Sequence, residues 1–339
     1  MRFFVISIKK YFFTALFLLF TITLILFSAS NLDAAKKGLS LWANSVVPTL
    51  LPFFIATELL CKTNFIQILG KTLNKFMKPI FNVPGESAIA IIMGTISGYP
   101  VGAKVLCNLY DKKICSKAEA ERLIAFTNNS GPIFILGTVG ISLLGNEQIG
   151  RILLISHILS SLIVGFIFRF WKYNQINLTY KNYNSESTDL VRISNFGEIL
   201  AEAIKKSIFT VLSIGGFVVL FSVIISILTN SRILVILANS FNYIGIPYEF
   251  SIGLLSGLIE LTNGLKATST FYPTMPTPCI LLCSFLLGFG GLSVLLQVYS
   301  IISKSKISIK SYFYGKILHG FVSIILTFFI IKNLKLLTF

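Results

Sequence analysis

Long apolar runs separated by short polar breaks dominate the chain. Runs at 11–30, 40–60, 149–171, 206–229, 277–303 and 312–331 each reach the roughly twenty residues that a helix needs to cross about 30 Å of hydrocarbon. Other stretches carry a different pattern. From Phe65 to Phe81, Ile66, Leu69, Leu73, Phe76 and Met77 alternate with Lys71, Lys75 and Lys78 at helical spacing, which predicts an amphipathic helix lying in the membrane interface. The segment from Glu86 to Tyr110 is apolar on both flanks but broken at Ser97-Gly98-Tyr99-Pro100. Its two short arms suit a re-entrant hairpin better than a span. Residues 117–144 predict a helix interrupted at Asn128-Asn129-Ser130-Gly131-Pro132.

The pattern then repeats. A fixed offset of 162 positions carries Gly102 and Lys104 onto Gly264 and Lys266, His157 onto His319 (the two histidines of the chain), Asn128-Asn129 onto Gly290-Gly291, and the run at 40–60 onto an apolar stretch at 202–222. The second copy reads as a span at 206–229, a short amphipathic stretch from Arg232 to Ile246, a segment from Phe250 to Thr270 broken at Glu260-Leu261-Thr262-Asn263-Gly264, a helix from Pro278 to Ser303 broken at Gly288 to Gly291, and a last span. An internal repeat of this size in a membrane chain points to a transporter whose site lies where the copies meet. Three crossings per copy is an odd number, so the copies must run in opposite directions. The fold expected is an all-α polytopic membrane protein of two inverted repeats, each with a re-entrant hairpin and a broken transmembrane helix. Its parts are an N-terminal anchor (1–38), a first repeat (39–171), a polar cytoplasmic linker (172–200) and a second repeat (201–339).

Composition agrees. Hydrophobic residues make up 54% and charged residues 12%, and the mean hydropathy is +0.81, which excludes an ordinary soluble globule. The first run exceeds the apolar core of a secretory signal and no clean cleavage site follows it, so it reads as a retained anchor. A net charge of +16 would suit nucleic acid, but the basic residues cluster in loops on one side, among them Lys71, Lys75, Lys78, Lys112, Lys113, Lys117, Lys172, Lys304, Lys306 and Lys310. They mark the cytoplasmic face instead. Five cysteines, all in or beside apolar segments, read as small packing residues rather than bridges or metal ligands.

Function is expected at the breaks, because unwound backbone persists in a bilayer only where it is buried in protein or lines a cavity. Half-helix N-termini after the breaks direct partial positive charge toward the midplane and suit an anion. Candidate substrate-binding residues are Ser97, Gly98, Tyr99, Gly102, Lys104, Asn128, Asn129, Ser130, Thr262, Asn263, Gly264 and Lys266. They supply close backbone approach, neutral donors and acceptors, an aromatic wall and two cations. Glu260, costly in hydrocarbon, is the candidate for coupling to H+ or Na+. The plainer readings are kinks and close packing for the glycines, snorkelling for the two lysines, and a structural pair for His157 and His319. No G-x-x-x-x-G-K-[ST] loop or H-E-x-x-H motif occurs, so catalysis, a metal and a cofactor are not expected.

Three stretches, "FNVPG" from Phe81, "GTISGYPVGAK" from Gly94 and "EAERLIAFTNNSGPIFILGTVG" from Glu119, resemble the nucleoside-recognition, or Gate, domain proteins, and among them a group of sporulation membrane proteins. In the second copy "GLIELTNGLKAT" from Gly257 carries the likeness. The resemblance implies a fold similar to concentrative nucleoside transporters. It also implies a role in endospore formation, moving dipicolinic acid across the outer forespore membrane, with the lipid bilayer, the small anionic solute, and a second copy or other sporulation membrane proteins as partners. The alternatives are a non-transporting scaffold, a gate subunit working with an energised partner, and a nucleoside-type carrier.

Overall fold

Backbone buried in hydrocarbon must satisfy its own hydrogen bonds, and the helix is the local way to do so. The structure, a computed structural model describing residues 2–60, 62–173 and 196–334, has no strand among the described residues. Helix α1 (Arg2–Leu26) turns at Phe27 into α2 (Ser28–Leu41) through a bend of 98°, so the first apolar run ends in a corner. A π-helical stretch (Trp42–Val46) then leads into α3 (Val47–Leu60). Its position has a covalent cause: Pro48 lacks an N–H and its ring crowds the preceding turn, which widens. The single span expected at 40–60 is therefore the continuation of α2, and its apolar part, Leu50–Leu60, is short.

The next elements are α4 (Phe65–Phe81), α5 (Ala88–Ile96), α6 (Val101–Asp111), α7 (Lys117–Thr127), a π-helical segment (Phe134–Leu143) and α8 (Glu147–Phe168). Helix α7 starts on a capping box between Ser116 and Glu119, and α8 starts on Asn146, which accepts from the Ile149 N–H. The second half has α9 (Phe196–Asn230), α10 (Ile233–Asn242), α11 (Tyr248–Ile259), α12 (Leu261–Ser269), α13 (Pro276–Phe289), α14 (Gly291–Ile302) and α15 (Ile309–Leu334). In both halves a two-armed hairpin (α5 with α6, α11 with α12) is followed by a helix with a break and then a long helix. Four segments, Glu147–Phe168, Phe196–Asn230, Pro276–Ile302 and Ile309–Asn333, are long and apolar enough to cross a membrane, and the chain is an integral membrane protein. Most of the expected linker at 172–200 lies outside the described residues.

The breaks of the second half are narrower than their sequence suggests. Glu260 alone separates α11 from α12, and Gly290 alone separates α13 from α14. Thr262, Asn263 and Gly264 are therefore helical residues of the first turns of α12 rather than unwound backbone. A carboxylate at the N-cap is sufficient to restart a helix after one extended residue.

Helix α15 packs on α13, α8 and α7, while α2 and α3 pack on α9. At the basic end of the molecule, Arg122 on α7 is 1% exposed. Its guanidinium donates to the carbonyls of Asn82 (2.8 Å), Trp171 (2.8 Å) and Lys172 (3.3 Å). Beside it, Glu121 accepts from the Trp171 indole N–H (3.1 Å) and pairs with Lys172 (2.7 Å). This knot ties the ends of α4 and α8 to α7.

Candidate functional site

The first hairpin closes on the first broken helix through main chain. Gly94 and Gly102, on the two arms, face the Thr127 carbonyl; a Cβ would lie 1.7 Å from that oxygen at Gly94 and 2.3 Å at Gly102. At the tip, Gly98 has a φ of +79°, and a Cβ there would lie 2.9 Å from the Gly131 nitrogen. The Tyr99 hydroxyl meets the Ser130 hydroxyl, and the Ser130 N–H donates to His157 Nε2 at 3.1 Å. Asn128 is held on three sides: its Oδ1 accepts weakly from the Ala103 N–H (3.4 Å), its amide donates to the Tyr312 hydroxyl (3.2 Å), and its carbonyl accepts from Lys316 Nζ (3.0 Å). Asn129 bonds back to the Phe126 carbonyl (2.9 Å).

In the second hairpin the Glu260 carboxylate caps α12. It accepts from the Asn263 N–H at 2.7 Å and from its side-chain amide at 2.9 Å, and that amide also donates to Ser222 on α9 at 3.1 Å. Glu260 is 3% exposed, so its carboxyl group is satisfied by the N-terminus of α12 rather than by water.

Both hairpin tips and both broken helices meet at one narrow cavity of about 60 Å³. Gly98, Tyr99, Gly131 and Phe134 form one wall, Glu260, Leu261, Thr262, Val294 and Gln297 a second, and Val46, Leu50, Ile214 and Val218 close it from the side of α3 and α9. Of the candidates named from sequence, Gly98, Tyr99, Glu260 and Thr262 line it. Ser130, Asn128 and Asn129 are buried just behind it, and Asn263 positions Glu260. Ser97 instead bonds Thr57 on α3 at 2.8 Å. Gly102 and Gly264 are packing contacts, a Cβ at Gly264 lying 2.0 Å from the Gly257 Cα.

The two cations named from sequence are elsewhere. Lys104 pairs with Glu58 and reaches Thr210 (3.4 Å) in a separate small cavity between α3, α6 and α9. Lys266, in the last turn of α12, is exposed. Apolar arms leave each lysine a nearer partner, a carboxylate or the outside, than the midplane. The cation beside the site is Lys316 of α15, 1% exposed. It was not singled out because it stands in an otherwise ordinary span, although its i, i+3 spacing to His319 places both on one helix face.

Two hairpins, two broken helices and a largely apolar cavity with Glu260, Thr262 and Gln297 in its wall define a membrane protein with a transporter-like fold. Comparison with known proteins agrees: residues 43–147 match the Gate family, described as nucleoside recognition. The chain is 35% identical over 320 residues to the sporulation integral membrane protein YlbJ of Bacillus subtilis (strain 168), a match that covers 90% of this chain and 78% of that one. The chain belongs to the YlbJ family of Gate-domain membrane proteins. The solved structure of CNTnw in an inward-facing substrate-bound state superimposes with a TM-score of 0.50 at 13% identity, over 97% of this chain and 86% of that one, which speaks for the fold alone.

Proposed function

We propose that the chain carries a small anionic aromatic solute across a membrane, that the solute is dipicolinate, and that the membrane is the outer forespore membrane of a sporulating cell. The observation that carries this reading is the convergence of both hairpin tips and both broken helices on one narrow cavity. Helix α12 begins in its wall, α14 begins one turn from Val294, and the helix after Gly131 begins beside Phe134, so several positive helix ends converge there. Tyr99 and Phe134 offer flat apolar faces to a ring. The relationship to a sporulation membrane protein supports the setting, and the repeated order of elements supports reading the halves as inverted copies.

At about 60 Å³ the cavity is far below the roughly 300–1,000 Å³ of a site that encloses a small molecule. The described form is closed, and solute binding requires the walls to part. Coupling to H+ or Na+ belongs to the same proposal, with Glu260 as the carboxylate within reach of a cation in the cavity.

The test is uptake of labelled dipicolinate into vesicles containing this protein alone, with and without proton or sodium gradients. Saturable uptake driven by one of the gradients is the expected result. No uptake under any gradient would overturn the carrier reading and favour a scaffold.

A further inference from the structure

Lys316 is a long cationic side chain sealed inside the protein without a carboxylate. Among the described residues no Asp or Glu oxygen lies within 4.0 Å of it. Its Nζ instead has two acceptors, the Asn128 carbonyl at 3.0 Å and His319 Nδ1 at 3.3 Å. The ring of His319 is set by its other nitrogen, which lies 3.0 Å from the His157 carbonyl. Only an N–H can bond a carbonyl, so Nε2 carries the proton and Nδ1 is free to accept from the lysine. Two acceptors match the two N–H bonds of a neutral amine. An ammonium has three, and enclosing it without a counter-charge is costly.

The position of the amine gives this a use. The Asn128 carbonyl it bonds belongs to the same break as Gly131, which lines the cavity, and its Cε packs beside Gly290, which separates α13 from α14. The lysine thus stands one residue layer behind the cavity wall. Titratable groups around it are few: His319 and Tyr312 on its own helix and His157 on α8. From α7 and its break it meets the Asn128 carbonyl, and at the junction of α13 and α14 it meets Gly290. Of the charged residues of α7, Lys117 and Glu119 lie in its first turn, where Glu119 is engaged with Ser116, and Glu121 and Arg122 are engaged with Trp171 and Lys172 at the basic end.

We infer that Lys316 and His319 form a proton-binding site behind the cavity, which takes up one proton from solution as a carboxylate anion occupies the cavity. This rests on the reading of the cavity as an anion site. The proton adds to the lone pair of the Lys316 amine and converts it to an ammonium. The incoming carboxylate provides the counter-charge that the closed site lacks, and His319 Nδ1 continues to accept. One proton and one anionic group then move together, and the negative charge carried across the bilayer falls by one.

Two measurements on the purified full chain test this. The first needs no solute: thermal melting is followed between about pH 5 and pH 9 for the wild type, Lys316→Gln and Lys316→Met. A group that exchanges a proton on unfolding in this range gives the wild type a pH-dependent component that both variants lack. Lys316→Gln keeps donors for both acceptors and guards against a variant that fails to fold. The second follows a pH-indicator dye in weakly buffered solution while dipicolinate is added. The wild type should take up protons on binding; Lys316→Gln should take up none and bind on the order of tenfold more weakly, as for the loss of one charge-assisted contact. Identical pH profiles of melting in wild type and both variants, or undiminished proton uptake by Lys316→Gln, would overturn the proposal. If the wild type does not bind dipicolinate, the solute named under Proposed function is wrong, and the melting profiles still decide whether Lys316 exchanges a proton.

Discussion

The rings of His157 and His319 lie 4.5 Å apart, centroid to centroid, with 31° between their planes, and Nε2 of His319 bonds the backbone carbonyl of His157 at 3.0 Å. These histidines stand 162 positions apart, at the offset that relates the two halves in the sequence reading, and the structure brings them together. The contact lies between α8 and α15, the long helices that end the two halves, and joins the first broken helix through the Ser130 N–H.

Replacing His157 by Leu should leave the Ser130 N–H without its partner, while the His157 backbone carbonyl that holds the His319 ring is retained. A loss of about 1–3 kcal/mol per unsatisfied buried group is expected. Thermal unfolding of the purified protein measures it, and an unchanged melting temperature would show that the Ser130 contact contributes nothing.

Lys104 and Glu58 should behave as a pair that is independent of the solute. Each single substitution, Lys104→Gln or Glu58→Gln, leaves one half-buried charge alone and should destabilise by about 1–3 kcal/mol, whereas the double variant should cost less than the sum. Dipicolinate affinity should be the same in Lys104→Gln as in the wild type. A large loss of affinity in that variant would return Lys104 to the site.

Gly102→Ala tests the seat of the first hairpin. The new methyl meets the Thr127 carbonyl at 2.3 Å, and overpacking of this kind costs about 1–3 kcal/mol. Gly137→Ala, where nothing lies within 4 Å, is the control and should melt as the wild type does. Equal melting temperatures for the two variants would mean that the hairpin is loosely held.

Arg122→Lys should loosen the basic end of the molecule, because a single ammonium cannot reach three carbonyls in different directions. The expected outcome is faster cleavage by trypsin after the end of α8, with solute binding retained. Cleavage at the wild-type rate would count against the knot.

What was legible in the sequence followed from period and interruption. Phe65 to Phe81 alternated apolar and basic residues and is a helix over that whole range, and Ser97 to Pro100 marked the hairpin tip to the residue. What was not legible depended on partners distant in the chain. Lys104 looked like a cation for the site because Glu58 stands 46 positions away, and no local pattern shows that they meet. Lys316 is inconspicuous in the sequence for the opposite reason: its neighbours along α15 are those of an ordinary span, and only the Asn128 carbonyl, 188 positions away, makes it part of the site. Thr262 and Asn263 suggest a break because they are polar residues in an apolar run, whereas the cap by Glu260 lets the helix resume at Leu261.

The way Gly94 and Gly102 clasp the Thr127 carbonyl decides which parts of the molecule can slide. A hairpin seated backbone to backbone on a broken helix has no side chains to repack, so the two must travel as one body. The same holds for the second hairpin, where a Cβ at Gly291 would lie 2.8 Å from the Gly257 carbonyl. On the side of α3 and α9 the contacts are of another kind: the Thr57–Ser97 hydroxyl pair, the reach of Lys104 to Glu58 and Thr210, and the apolar faces of Val46, Leu50, Ile214 and Val218. These are side-chain contacts that can be exchanged one at a time, and both cavities lie along them. If the proposed carriage of a solute requires the hairpins to slide, the seam between α3 with α9 and the clasped hairpins is where they would do so, and a disulfide placed across it should abolish uptake.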